Sequence, residues 1–386
     1  MPAELPSQPV ADDDVHAARK AVQSARLIDS EAVIENALEN RDEAHVIGID
    51  TEFVRERTFQ ARPGLIQISD GQSVWLLDAV ALPQSEALGE VLADAGTTKV
   101  LHSVGEDLEV LHAVGMRWPA RLFDTQVAAA LLGMPLQLRY EHLVKAALDV
   151  ELEGGKARND WCKRPLAPAL LQYAAEDVIW LPRLKAHLEA LLEHAGRLEW
   201  LEEDCERILT RARAGDTTPP LSRVKGGARL ETPALARLDA LARWRESMAR
   251  ERDLPRRFVI SDEALIDLAQ SDQKGRLGQA LGRLPGGQAK RFGPAIESTL
   301  AAVDADAYQR PDWIDPLTSG QRDQLREAQK TVREIADELG IEPAVIASKK
   351  ALIPLIRGER PEWLEGWRGE VLTGRFESAS VSILAP

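Results

Sequence analysis

Only two of the 386 residues are cysteine, Cys162 and Cys205, far apart and outside any CxxC arrangement. That argues against a disulfide framework or a thiolate zinc site and leaves both residues core or incidental roles. No stretch approaches the roughly 20 uninterrupted apolar residues that a membrane span requires. The segment Met1 to Asp14 has prolines and acids where a secretory signal has a basic-then-apolar leader. It reads as part of a loosely ordered tail, residues 1–24. The seven histidines form no HExxH or paired-ligand pattern, and His102 reads as a packed residue or a neighbour of a site rather than a ligand. Gly154-Gly155-Lys156 lacks the spacing of a phosphate-binding loop, because Val150 and Ala157 stand where that motif needs Gly and Ser or Thr. Coiled-coil heptads are missing as well, so a monomer is the default. Together these absences describe a soluble protein of a reducing compartment, the bacterial cytoplasm.

Positive charge is also scarce overall, with a formal net charge of −14. Its distribution matters more than its sum. Lys and Arg number 22 against 36 Asp and Glu in residues 1–215, and 26 against 26 in residues 216–386. The whole deficit lies in the first half. Arg223 to Arg257 holds ten basic residues against five acidic, and Lys274 to Arg291 holds five and none. Such stretches contact phosphates or form solvated helix faces, and composition alone leaves both open.

A single core stops growing at about 250–300 residues, so this length predicts two or three domains. Val46 to Phe53 is an apolar, partly β-branched run that predicts a buried strand. Leu65 to Ser69 and Ser73 to Asp78 predict two more, joined by the turn Asp70-Gly71-Gln72. Lys99 to His102 is a fourth candidate, followed by a helix over 103–115, and helical periodicity dominates from Thr125 to Leu209. Strands followed by strands alternating with helices suit an α/β domain with a mixed sheet. Residues 215–231, with Pro219-Pro220 and Gly226-Gly227, predict a linker. Only helices are expected beyond it, interrupted at 309–320. Arg252-Asp253-Leu254-Pro255 leading to Val259-Ile260 is echoed by Leu339-Gly340-Ile341-Glu342-Pro343 leading to Val345-Ile346, the mark of a duplicated helical domain.

Asp50 and Glu52 end the first strand, and their i, i+2 spacing puts both carboxylates on one face. Asp107 falls in the first turn of the helix after the fourth strand. Tyr173 and Asp177, four apart, share a helix face cleared by the alanines between them. Each feature has an ordinary explanation alone: an exposed strand end, a helix-dipole partner, a surface pair. Together they supply four carboxylates and a phenol. An all-oxygen donor set selects hard cations, magnesium or manganese rather than zinc. Two such ions about 4 Å apart serve in-line displacement at phosphodiesters.

Asp50-Thr51-Glu52-Phe53, Gly64-Leu65-Ile66-Gln67-Ile68, His102 to Leu108, Phe123-Asp124-Thr125-Gln126 and Tyr173 to Val178 resemble the three exonuclease motifs of the DEDD superfamily. The tyrosine four residues before the last acid marks the DEDDy branch. Trp161 and Arg164-Pro165-Leu166 are similar to the ribonuclease D family within it. The resemblance covers residues 25–214 as a 3′–5′ exonuclease domain of ribonuclease-H-like α/β fold. It extends to residues 232–312 as a helicase-and-ribonuclease-D C-terminal (HRDC) domain, and to 313–386 as a second, HRDC-like one.

The resemblance implies a 3′→5′ exoribonuclease. Its substrates would be the 3′ ends of transfer RNA precursors and other small structured RNAs, and its products 5′-mononucleotides. Asp50, Glu52, Asp107 and Asp177 would hold two divalent ions, Mg²⁺ or Mn²⁺, with Asp50 between them. Tyr173 would orient the attacking water; a phenol with a pKa of about 10 is a poor base. The same motifs also serve DNA exonucleases, and a non-catalytic RNA-binding scaffold would share the fold.

Overall fold

The computed structural model describes residues 5–39, 45–152, 159–271 and 274–378. The chain forms two compact units. Met1–Val54, Arg62–Gly215 and Thr318–Pro386 make the first, and Arg55–Ala61 with Asp216–Leu317 the second.

The first unit is built on strands β1 (Leu27–Ile28), β2 (Val46–Val54), β3 (Arg62–Ser69), β4 (Val74–Asp78), β5 (Thr98–Leu101) and β6 (Leu122–Asp124). Their order in space is β1-β4-β3-β2-β5-β6. Strands β2, β3 and β4 run antiparallel, while β1, β5 and β6 join in parallel, which gives the mixed sheet expected. Strands β1 and β6, of two and three residues, are too short to show a period-two pattern. The helices of this part are α1 (Asp12–Ser24), α2 (Glu31–Glu39), α3 (Glu86–Ala93), α4 (Asp107–Gly115), α5 (Thr125–Leu131), α6 (Tyr140–Leu148), α7 (Pro168–Ile179), α8 (Leu181–His194) and α9 (Leu198–Ala214).

Alternation along β2 separates two chemistries. Ile47 and Ile49 join Ile66, Ile68, Leu88, Leu92, Leu108 and Leu111 in an apolar core that includes α3 and α4. Gly48, Asp50 and Glu52 point to the other face. A Cβ on Gly48 would lie 2.7 Å from both the Leu181 Cβ and the Val178 carbonyl oxygen. Only hydrogen at this position lets the α7–α8 junction sit against β2, and that contact brings Asp177 to the acidic strand.

The loosely ordered tail expected over residues 1–24 is corrected: α1 occupies 12–24, with Ala18 and Val22 buried four residues apart. The backbone ahead of it is tied down too, since Gln8 N–H donates to the Ala147 carbonyl at 2.7 Å and Val10 N–H to the Leu148 carbonyl at 3.1 Å. Residues 1–4 and the rejected Gly154–Lys156 loop lie outside the described residues.

The second unit contains α10 (Thr232–Glu251), α11 (Arg256–Val259), α12 (Asp262–Gln270), α13 (Lys274–Gly282) and α14 (Gln288–Ala301) around Leu235, Leu238, Val259, Ile260, Leu265, Phe292 and Ile296. The expected linker over 215–231 is largely part of it. Two short 3₁₀ turns, Pro220–Arg223 and Gly227–Arg229, carry Leu221, Val224 and Leu230 into the same core. Residues 55–61 are held there as well: Phe59 N–H and Gln60 N–H both donate to Asp253 Oδ1 at 2.9 Å.

The last helices, α15 (Ser319–Leu339), α16 (Pro343–Ile346), α17 (Lys349–Ile356) and α18 (Trp367–Ser378), belong to the first unit rather than standing apart. The reason is α9. Trp200 stacks on Trp367 with ring centroids 4.4 Å apart, Asp204 pairs with Arg368, and Trp367 N–H donates to Glu203 Oε2 at 2.8 Å. The sequence echo nonetheless has a backbone counterpart. A left-handed residue follows each long helix, Asp253 (φ 48) after α10 and Gly340 (φ 66) after α15. A four-residue helix comes next, and then a serine N-cap, Ser261 for α12 and Ser348 for α17.

Candidate active site

All five residues singled out from sequence lie in the first unit. Ligand oxygens of Asp50, Glu52 and Asp177 come within 4.8 Å of one another. Two of these acids come from one face of β2, and the third from α7, seated against that face by Gly48. The fourth acid, Asp107, stands at the start of α4, where its Oδ1 accepts a 2.6 Å hydrogen bond from the Thr51 hydroxyl. Its carboxylate is outside the converging trio, yet among neighbouring charges Asp107 acts most strongly on Asp50. The Tyr173 hydroxyl, one helical turn from Asp177, acts to lower the pKa of that carboxylate.

The electrostatics of the group are one-sided. Burial, then the charges of Asp107, Asp177 and Glu52, hold Asp50 well above the usual carboxylate range. Burial, followed by the charges of Asp177 and Asp107, pushes Glu52 up to about 9. Burial also lifts Asp177 to about 7, against the opposing effect of the Tyr173 hydroxyl. Asp107 rises to about 6 for the same first reason, opposed by the Thr51 hydroxyl. The Tyr173 phenol moves upward through burial and the nearby acids, which makes it a donor and no base. Four buried carboxyl groups, all held above their usual range and two of them by the charges of the others, are an incomplete set. The charge that would let all of them ionise is a cation, and an all-oxygen donor set suits Mg²⁺ or Mn²⁺.

The surroundings explain how the acids are held. Asp124 caps α5 by accepting from Gln126 N–H at 2.8 Å and Val127 N–H at 3.2 Å. It also accepts from Ser103 N–H at 3.1 Å and Val104 N–H at 2.9 Å, pinning the turn that leads into Asp107. Ser103 has a positive φ of 64°, so that turn needs such an anchor. His102 is a packed neighbour, as expected: its ring nitrogens lie 2.9 Å from the Thr125 hydroxyl and from the Leu138 carbonyl. Arg164 reaches Asp78 Oδ2 at 2.7 Å and the carbonyls of Gly64 and Trp161 at 2.8 Å. It thereby fixes the buried Trp161, whose ring centroid is 6.3 Å from that of Tyr173.

Residues 25–193 match the 3′–5′ exonuclease family and residues 234–296 the HRDC domain family. A ribonuclease D of Shewanella sp. (strain ANA-3) is 35% identical over 356 residues, 89% of this chain and 91% of that protein. The chain belongs to the ribonuclease D family. The ribonuclease D of Escherichia coli K12 is 32% identical over 342 residues, 84% of this chain and 90% of the relative. A crystal structure of E. coli ribonuclease D, described as an exoribonuclease involved in structured RNA processing, superposes with a TM-score of 0.83 at 28% identity. It covers 92% of this chain and 98% of the other. Like other ribonucleases D, the chain is a metal-dependent 3′→5′ exoribonuclease, a hydrolase acting on RNA. Among the described residues no helix is long and apolar enough to cross a membrane.

Two contributors near the ribonuclease D acids escape a reading by motif. Thr51 lies between the two strand acids, and its only sequence signal is that position. Tyr140, at the start of α6, has its phenol pushed upward by burial and then by Asp177 and Asp50, which places it beside the same cluster. An aromatic at a helix start carries no signal of such a place.

Proposed function

We propose that this chain trims the 3′ ends of transfer RNA precursors and other small structured RNAs in the cytoplasm, releasing 5′-mononucleotides with two divalent ions held by Asp50, Glu52, Asp107 and Asp177. The observation that carries the site assignment is the convergence of Asp50, Glu52 and Asp177 oxygens within 4.8 Å, where the charges of neighbouring acids raise both Asp50 and Glu52. The structured-RNA substrate is supported by what the E. coli relative is described as processing. Two free cysteines accord with a reducing compartment.

In this reading Asp50, Glu52 and Asp177 would hold divalent metal together, with Asp107 as the further ligand. Bound there, the ions supply an activated water and charge stabilisation at the leaving oxygen. Tyr173, kept protonated, donates a hydrogen bond and orients the water against the terminal phosphodiester. Water adds to phosphorus, the bond from phosphorus to the 3′-oxygen breaks, and that oxygen takes up a proton. Asp124 and Thr51 keep Asp107 in place, and Trp161 backs the Tyr173 ring. The helical unit, and α15–α18 as a second HRDC-like element, would hold the body of the RNA.

The test is hydrolysis of a 5′-labelled, 3′-extended transfer-RNA-like substrate with Mg²⁺, Mn²⁺ or EDTA, beside a matched DNA. The expected result is a ladder shortening one nucleotide at a time from the 3′ end of the RNA, abolished by EDTA and by Asp50→Asn. That variant should still bind RNA. Undiminished hydrolysis by Asp50→Asn would overturn the site assignment, and faster cleavage of the DNA would overturn the substrate.

A further inference from the structure

Gln67 on β3 is the direct cross-strand partner of Asp50 on β2. Opposed residues of neighbouring strands project to the same face, with Cβ atoms about 4.5–5.5 Å apart. Gln67 therefore shares the acidic face of the sheet. Its side chain is completely buried, and neither Nε2 nor Oε1 has a hydrogen-bond partner among the described residues. Nothing else nearby claims the amide. On the same face of β3, the Ser69 hydroxyl donates to the Ser73 carbonyl at 2.7 Å and accepts from Gly71 N–H at 3.0 Å, so it is committed to the turn. The β4 residue opposite Gln67 is Leu76, fully buried and apolar. Helix α7 packs over β2, β3 and β4 and buries Ala174, Ala175 and Val178.

A primary amide carries two donor hydrogens and an acceptor oxygen, and burying all of them unmet is a standing cost to the fold. Met or Leu would fill nearly the same volume without it. Local rules of this kind break where function needs them broken.

We propose that Gln67 is a positioning residue for Asp50, its Nε2–H donating to the Asp50 carboxylate when that group is ionised and holding cations. The inference rests on the reading that Asp50 is a metal ligand. It adds that the carboxylate's orientation is set from the neighbouring strand. Of the polar groups on that face, Asp50 is the one opposite Gln67, and an ionised carboxylate has lone pairs to spare for a donor. Partners behind a ligating carboxylate fix its direction, and their loss typically weakens metal affinity or activity about 10–100-fold.

The test uses the full chain carrying Gln67→Met, with Gln67→Leu as the second apolar variant and Asp50→Asn alongside. Three quantities are read: the melting temperature in EDTA, Mn²⁺ binding by calorimetry, and the Mn²⁺ concentration giving half-maximal RNA hydrolysis. The expected result is a melting temperature in EDTA equal to or above that of the parent, with Mn²⁺ binding weakened about tenfold or more. The half-maximal Mn²⁺ concentration should rise by the same factor. Wild-type Mn²⁺ affinity in Gln67→Met would overturn the proposal. So would a lower melting temperature, or failure to fold, in both apolar variants, since the amide would then be serving the fold. Asp50→Asn separates the two readings. If it still hydrolyses RNA, the metal-site assignment itself fails. If it is inactive while Gln67→Met binds Mn²⁺ normally, only the role of Gln67 falls.

Discussion

The Thr51 hydroxyl donates a 2.6 Å hydrogen bond to Asp107, so one residue of β2 reaches across to the acid on α4 while its two neighbours face the opposite way. That bond opposes the effect of burial, which lifts Asp107 to about 6. Thr51→Val keeps the shape and removes the donor, so Asp107 should titrate at higher pH. The acid limb of the pH–rate profile should then move upward, and the Mg²⁺ needed for half-maximal rate should rise about tenfold. Thr51→Ser, which keeps the hydroxyl, should restore both. A profile unchanged in Thr51→Val would remove Thr51 from the account.

Gly48→Ala places a methyl 2.7 Å from Leu181 and from the Val178 carbonyl. Relief requires the α7–α8 junction to withdraw from β2, carrying Asp177 and Tyr173 with it. Overpacking of this kind costs about 1–3 kcal/mol, readable as a lower denaturant midpoint. Turnover should fall much further than stability, because the ligand oxygens separate. A stable variant of full activity would show that α7 is positioned by something else.

The raised carboxyls predict how the metal-free protein responds to pH. Unfolded carboxyls titrate at about 4, whereas the folded values reach about 6 for Asp107, about 7 for Asp177 and about 9 for Glu52. Between these limits the folded state binds more protons than the unfolded one, so stability falls as pH rises. The melting temperature in EDTA should therefore decline from weakly acidic to weakly alkaline pH. Saturating Mg²⁺ should raise it most at the alkaline end, where the acids have most need of a counter-charge. A flat or rising curve in EDTA would contradict the electrostatics described.

In the helical unit several basic residues are already paired with acids. Arg245 is buried against Asp262 at 2.7 Å, Arg256 bonds Glu246 at 2.8 Å, and Arg243 bonds Asp239 at 3.0 Å. Arg257, Lys290 and Arg291 are exposed, and Arg257 lies over the exposed Phe258 ring at 5.4 Å. Gln288 ties α14 to this corner through the Phe258 carbonyl at 3.4 Å. Charge reversal at Arg257, Lys290 and Arg291 should weaken binding of structured RNA and lower its logarithmic salt slope by about 0.9 per lost phosphate contact. Cleavage of short single strands should change less. Equal loss on both substrates would argue against capture by this face.

Trp367 is 1% exposed and stacked on Trp200. Trp367→Ala should cost about 3–5 kcal/mol, read as protease sensitivity or faster hydrogen exchange in α15–α18. Truncation at residue 215 would strip the same surface from α9, so it is no clean test of RNA capture.

Much of this protein was legible from period and spacing. The run Val46 to Phe53, the hairpin at Asp70-Gly71-Gln72 and the long helices α10 and α15 each carry enough repeats for their pattern to show. Asp50, Glu52, Tyr173 and Asp177 were readable because their spacing alone puts each pair on one face of its element. What escaped had little local signal. Strands β1 and β6 are too short for a pattern, and α1 shows only two buried positions. Residues 215–231 read as linker because their prolines and glycines shape turns whose apolar residues find a core elsewhere.

Local chemistry, then, determined which residues are acids on a face, which segments are strands or helices, and that the donor set is all oxygen. Those follow from nearest neighbours along the chain. Tertiary structure decided which groups meet: Asp177 with Asp50 through the missing side chain of Gly48, Asp107 with Thr51, Gln67 opposite Asp50, and α18 on α9 through Trp367 and Arg368. Such pairings join residues distant in the chain, and they exist only once the sheet has its register and the helices are packed on it.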